Sequence, residues 1–449
     1  MIVDSVLVNA KAYLKGEVVD CCFAIEEGKI LKIGKETQMP KTDERIDLHN
    51  LLVLPGLVDT HVHLRDEGKA YKETFQTGTA AAAAGGVTTV LDMPNNSPVT
   101  MNAQALRDRI QIAVRRVLVN VGFFSEFPTG LEQLEEILEE GAIGLKLFMA
   151  EQVGGLNIDD DRAIEEGFIH AAKLGAVIAV HAEDHLMLKA AVDLLKMESR
   201  HDLAAFFKAH DESVELTAVN RLINILRRVS KASVHFCHVS TAEALSAIEE
   251  AKKLGLTVTS EVTPHHLMLK KGDAERLGAW SLMVPPLRTQ ENVEALWTGI
   301  ENGSVHTIGS DHAPHALEEK DAASVWDIKA GMPGLETTLP LMLTMVHKNR
   351  LTLERALELL CEKPAKLFNL KDKGSIEECK SADLIVVDFN RKFKIDASAF
   401  KSKAKFSLFD KWDVQGKPVK TFVNGKLTID EGEIVTKPGS GTVLRRQLS

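Results

Sequence analysis

Between about Pro55 and about Leu370 the chain alternates short apolar runs with longer stretches of helical periodicity. Eight runs read as strands, at 57–63, 88–93, 120–124, 144–148, 176–181, 233–239, 257–262 and 305–310. Helical patterns lie between most of them. TFQTGTAAAAAGG follows the first run, and TAEALSAIEEAKKLG follows the sixth, with Thr241 placed to cap its start and Gly255 to close its end. Thr129-Gly-Leu-Glu132 has capping-box spacing at the start of another. Eight β/α units in series predict an α/β fold, a closed (β/α)8 TIM barrel, with chemistry at the C-terminal ends of its strands. An open, doubly wound sheet is the alternative. Against it, no GxGxxG follows the first strand.

Both ends of the chain read differently. VDSVLVNAKAYL and VVDCCFAIEEGKILKIGKE give short β-rich runs broken at Gly16 and at Glu27-Gly28. SADLIVVD reads as a strand, and TFVNGKLTI as a hairpin turning at Asn424-Gly425, a pair suited to positive φ. The pattern predicts a small β-sandwich domain built from residues 1–54 and 376–449, flanking a catalytic barrel at 55–375.

Composition narrows the chemistry. Lys plus Arg number 54 against 64 Asp plus Glu, a net charge of −10 over 449 residues. Such a chain is a poor binder of nucleic acid or an anionic membrane, so an anionic small-molecule substrate would need a local positive site. With 17 Phe, 4 Trp and 2 Tyr, there is little material for broad stacking platforms. The start, MIVDSVLVNA, lacks the basic and apolar regions of a targeting segment. No run approaches the roughly 18 apolar residues of a membrane span. Five scattered cysteines without a CxxC pair suggest reduced thiols and a cytoplasmic protein.

The candidate chemistry sits where the strands end. The first closes on Asp59-Thr-His61-Val-His63-Leu-Arg65-Asp66. Residues two apart on a strand share a face, so His61 and His63 would chelate a borderline cation such as Zn²⁺. Alone, such a pair is as readily structural. Three other strands end at His181, at His238 and at Asp311-His-Ala-Pro-His315. Each by itself could be a core or rim residue, but a barrel would bring all three to one mouth.

Lys146, in GLKLF, should point into the barrel while Leu145 and Leu147 face the helices. A buried ammonium beside metal ligands is costly. It either pairs with an inward acid or is carbamylated by CO₂, which turns it into an anion able to bridge two metals. The second option gives two cations, one held by His61, His63 and Asp311 and the other by His181 and His238, with N6-carboxylated Lys146 between them. Divalent cations acidify water to a nucleophile near neutral pH. Asp311 is then the catalytic group that accepts the water's proton and passes it to a leaving nitrogen. This is hydrolysis of an amide-like bond, or its reverse.

HVHLRDEG, LDMPNNSPVT, GLKLFMA, HAED, CHVST, EVTPHHL, SDHAPH and GMPGLETTLPL together resemble the dihydroorotases of the amidohydrolase superfamily, in the branch with a carbamylated lysine. The resemblance implies zinc, two ions per chain. It also implies reversible cyclisation of N-carbamoyl-L-aspartate to (S)-dihydroorotate in de novo pyrimidine (UMP) synthesis. It implies that Arg65, Asn95 and His315 hold the substrate carboxylate, with His63 also near substrate, and that Pro333 and Gly334 offer backbone groups to the ring. Relatives often have Pro where this chain has Glu67, Thr where it has Asn96 and Asn where it has Val284; the last bears on ring recognition. His265 and His266 look like barrel-lining groups rather than ligands. The loop at 149–157, with Gly154-Gly155, reads either as a cover over the site or as a solvated turn. Two other functions are weighed. A related cyclic amidase (dihydropyrimidinase, hydantoinase or allantoinase) would share the metals without requiring Arg65. A non-catalytic barrel would be expected to have lost ligands, and all six are present. The sequence leaves open a homo-oligomer and association with aspartate carbamoyltransferase.

Overall fold

In the computed structural model, which describes residues 2–229 and 231–446, eight parallel strands form a nearly closed barrel. They are β1 (Leu57–Val62), β2 (Val87–Asp92), β3 (Asn120–Glu126), β4 (Gly144–Phe148), β5 (Val177–His181), β6 (Ser233–Phe236), β7 (Thr257–Val262) and β8 (Thr307–Ile308). They pair in chain order, which rules out the doubly wound alternative. The last strand is shorter than its apolar run. Ser310 N donates not to the backbone of a neighbouring strand but to the side-chain carboxylate of Asp59 on β1, at 3.1 Å, and that carboxylate also takes His61 N at 3.1 Å. The seam between β8 and β1 is completed beyond this point, where His63 N donates to His312 O at 2.8 Å.

The period-two reading of β4 explains its layers. Leu145 and Leu147 join the core between strands and helices. Lys146 faces the opposite way and is fully buried inside the barrel. Below it, Val58, Leu91, Phe124 and Ala179 pack together, with Phe368 and Leu370 closing the bottom. The barrel is therefore filled at its lower end and open only above.

Thr241 caps its helix by accepting from Ala244 N, and Gly255 follows that helix in the left-handed region at φ 89°. The capping box at Thr129 does not form. Residues 131–133 make a short 3-10 turn ahead of a helix at Leu134–Glu139, with no side-chain cap. The loop at 149–157 occupies that ground instead. Gly155 N donates to Phe127 O at 2.8 Å, and a side chain on Gly155 would overlap Thr129. The two glycines let this loop pack against the end of β3.

The terminal segments build a separate mixed sheet. The two ends of the chain meet where Leu52–Pro55 pairs antiparallel with Leu384–Lys394, so the expected sandwich is realised as one hydrogen-bonded sheet. Leu7, Phe23, Ile25, Val53, Leu384 and Phe422 share its main core. Asn424 and Gly425 turn the hairpin with φ 47° and 76°. The C-terminal part also reaches back to the barrel. Ser402 hydrogen-bonds Glu73, and Val443 bridges to Val121 on β3. All five cysteines are free, and no helix among the described residues is long and apolar enough to cross a membrane.

Candidate metal centre

At the C-terminal ends of β1, β5, β6 and β8 the histidines and Asp311 converge. Nε2 of His61 and Nε2 of His63 lie 3.5 and 3.2 Å from the same oxygen, Oδ1 of Asp311. Across the mouth, Nδ1 of His181 faces Nε2 of His238 at 3.0 Å. The His61 and His238 rings are 5.1 Å apart, so the two groups are contiguous.

Buried carboxylates and one amide set which ring nitrogen points inward. Glu261 accepts from His61 Nδ1 at 2.8 Å, and also from Thr60 Oγ1 at 2.7 Å and from His238 N at 3.2 Å. Asn95 Oδ1 accepts from His63 Nδ1 at 2.8 Å. Glu183 accepts from His181 Nε2 at 2.8 Å and from His210 Nδ1 at 2.7 Å. An oxygen acceptor fixes the proton on the nitrogen it faces, so the opposite nitrogen keeps its lone pair. His61 Nε2, His63 Nε2 and His181 Nδ1 are thus the free ligands. Burial, and then Lys146, hold the His61 imidazole below its usual range; burial does the same to His63 and His238. All three are therefore neutral, the form that ligates a metal. Burial alone would raise the Glu183 carboxyl, but His210 and His181 outweigh it and hold it below its usual range.

Lys146 has no acid within ion-pair distance among the described residues. Its Nζ lies 3.2 Å from Cys237 Sγ and 4.8 Å from the Phe148 ring centre, and it forms no ion pair among the described residues. The structure therefore does not support the pairing alternative. An inward amine outside ion-pair distance of any described carboxylate, neutral imidazoles with aligned lone pairs and the Asp311 carboxylate make a donor set that fits divalent cations. Arg65, His238 and Asp311 all have left-handed backbones, with φ of 62°, 37° and 46°. Residues with side chains are strained there, and such strain concentrates at functional sites.

A cavity of about 560 Å³ opens above these groups. One wall carries Arg65, Lys69, Lys72, Asn95 and His315; the other carries Phe148, Leu188 and Val284. Arg65 is buried and donates Nε to Pro314 O at 3.3 Å. Asn95 uses its Oδ1 on His63 and so keeps its Nδ2 for a ligand. His315 sits beside Arg65, its Nε2 3.4 Å from a terminal guanidinium nitrogen. Pro333 and Gly334 do not line the cavity, where Ala330 and Gly331 stand instead. Gly334 N is turned behind it, toward His312 Nδ1 at 3.2 Å. His266 is fixed between Thr263 and Pro285 O, away from the ligand set. Ala150 and Glu151 of the 149–157 loop line the cavity's edge.

Sequence reasoning missed Glu183, Glu261, Lys69 and Lys72. The first two had a signal, as carboxylates within HAED, just past the end of β5, and EVTPHH, at the end of β7. Replacing Glu183 by Gln leaves His181 with a weaker, uncharged partner. Metal affinity should fall by about 10- to 100-fold, read by competition with a chelator.

A concave site with candidate metal-binding residues converging at the mouth of a (β/α)8 barrel defines the class: a barrel enzyme of the hydrolytic kind. A family model described as "Amidohydrolase family" matches residues 52–428. The chain is 37% identical over 448 residues to a dihydroorotase of Methanosarcina acetivorans, covering 97% of this chain and 94% of that one. It is 34% identical over 451 residues to an L-hydantoinase of Paenarthrobacter aurescens, covering 99% and 98%. Among solved structures, the L-hydantoinase (dihydropyrimidinase) from Arthrobacter aurescens superposes with TM-score 0.94 at 33% identity, over 99% of this chain and 100% of that one. The chain belongs to the amidohydrolase family and is a hydrolase.

Proposed function

We propose that this chain is a zinc-dependent dihydroorotase, which interconverts (S)-dihydroorotate and N-carbamoyl-L-aspartate in pyrimidine synthesis. The broader reading, a hydrolase of cyclic amides, is common to the dihydroorotases and hydantoinases it is similar to. The observation that carries the finer reading is Arg65. Its buried guanidinium stands at the edge of the ligand set with its terminal nitrogens spent on no carbonyl or carboxylate oxygen. An uncharged cyclic ureide offers such a group only neutral carbonyl oxygens. A ring carboxylate gives it a two-pronged partner.

In this reading His61, His63 and Asp311 would hold one zinc ion and His181 and His238 the other, and carbamylated Lys146 would supply a further anionic ligand. When bound, the ions supply an acidified water and polarise the scissile carbonyl. Asp311, whose carboxyl is raised by burial, takes the proton the attacking water releases. It returns that proton to the ring nitrogen as the C–N bond breaks, leaving the new carboxylate on carbon. Arg65 and the free Nδ2 of Asn95 hold the ring carboxylate, so the ring cannot rotate away from Asp311. Reversing the proton's path closes the ring.

A second reading has support of its own. The solved structures similar to this chain include hydantoinases, and Phe148, Leu188 and Val284 offer an apolar wall to a ring substituent. Turnover of dihydroorotate, dihydrouracil and a 5-substituted hydantoin by purified protein, with zinc quantified on the same sample, separates the two. We expect dihydroorotate to give the largest kcat/KM with two zinc ions per chain. Faster hydrolysis of either uncharged ring would overturn the dihydroorotase reading.

A further inference from the structure

His315 has no N–H left for a ligand. Its Nε2 lies 2.9 Å from Ala330 O, which can only accept, so the proton is there. Its Nδ1 then carries a lone pair and faces Lys72 Nζ at 3.1 Å. A Glu319 oxygen also stands 3.3 Å from the same nitrogen, which has no proton to give it once Nε2 carries the proton. Burial, followed by the nearby Arg65 and Lys72 charges, holds His315 below its usual range, which keeps a second proton off Nδ1. For the same reason the contact with Arg65 is between two donors and is not a hydrogen bond.

Lys72 is differently placed. It is buried and stands in the cavity wall on the side of Arg65. One of its protons goes to His315 Nδ1 and one to Glu319 Oε1, at 2.8 Å. An ammonium has three. We propose that Lys72 is the second cation of the carboxylate site, binding the ring carboxylate together with Arg65, and that His315 is a positioning residue that aims Lys72. Glu319 is shared with Tyr71 Oη at 3.0 Å and with Ala316 N, so it does not belong to Lys72 alone. Arg65 and Lys72, with Lys69 on the same wall, explain how a chain of net charge −10 would hold an anion there.

This inference rests on the carboxylate-bearing substrate proposed above, so its test does not depend on turnover. The probe is orotate, a planar ring carrying the same carboxylate, with uracil as the carboxylate-free control. Binding of each to the metal-loaded protein is measured by calorimetry. We expect Lys72→Met to weaken orotate binding by roughly 10- to 100-fold. Uracil affinity and zinc content should stay as in the unmodified protein. Lys72→Arg should restore most of the loss, because it restores the charge. Glu319→Gln, which breaks the ion pair but leaves the ammonium, should keep or tighten orotate binding.

Unchanged orotate affinity in Lys72→Met would overturn the assignment. So would an equal loss for uracil, a loss of zinc, or a Glu319→Gln variant that weakens orotate as Lys72→Met does; each would mean that the lysine only supports the wall. If the orotate pattern appears but dihydroorotate is not turned over, the carboxylate site stands and the dihydroorotase reading falls.

Discussion

Lys146→Ala should lose metal and activity together. The variant removes the one inward amine among the candidate ligands, and with it the only group proposed to bridge two cations. Its site would keep four imidazoles and a single carboxylate to balance four positive charges. We expect zinc to fall below two per chain, and kcat to drop by about 10³-fold or more, of the order seen when a catalytic group is removed outright. Metal analysis and turnover on the same sample check this. The unmodified protein should also carry the mass of one CO₂ under non-denaturing conditions, and the variant should not. Full metal occupancy and activity in Lys146→Ala would remove the carbamate from the mechanism. The fold is expected to survive the change. Lys146 makes no ion pair among the described residues, and the apolar layer of Val58, Leu91 and Phe124 lies beneath it.

Arg65→Met should separate substrate recognition from metal binding. Arg65 lies outside the ligand set, so zinc content should not change. What is lost is a buried, charge-assisted contact to the ring carboxylate. Truncating one partner of such a pair costs about 2–5 kcal/mol, which is roughly 30- to 5,000-fold in kcat/KM for dihydroorotate. Hydrolysis of dihydrouracil, which has no carboxylate, should be affected far less. A parallel loss on both substrates would mean that Arg65 acts on the site as a whole, for instance through Pro314 O, and would count against the carboxylate reading.

Several features of the site could be read before folding because they depend only on local periodicity. A strand alternates sides every residue, so HVH and LKL say which side chains share the barrel interior. A histidine or aspartate at the end of an apolar run is placed at the mouth once the barrel is recognised. The same logic fails where tertiary contacts override local pattern. Thr129 has the spacing of a helix cap, yet Gly155 of the following loop packs against it and the cap does not form. β8 is cut to two residues because Asp59, distant in sequence, takes Ser310 N. Neither competitor is visible within a short window.

The sequence by itself determined the barrel, the terminal β domain and which histidines and aspartate meet at the barrel mouth, because each rests on which residue types recur at fixed spacing. Only the tertiary structure decided the protonation pattern: which nitrogen of His61, His63 and His181 is free, and that both nitrogens of His315 are engaged. Those choices are made by Glu261, Asn95 and Ala330, which approach from other strands and loops, and by Glu183, two residues along from His181. A hydrogen bond depends on distance and direction in space, and sequence separation carries neither. For that reason Lys72, rather than His315, emerged as the proposed partner of Arg65 in the carboxylate site only when the chain was folded.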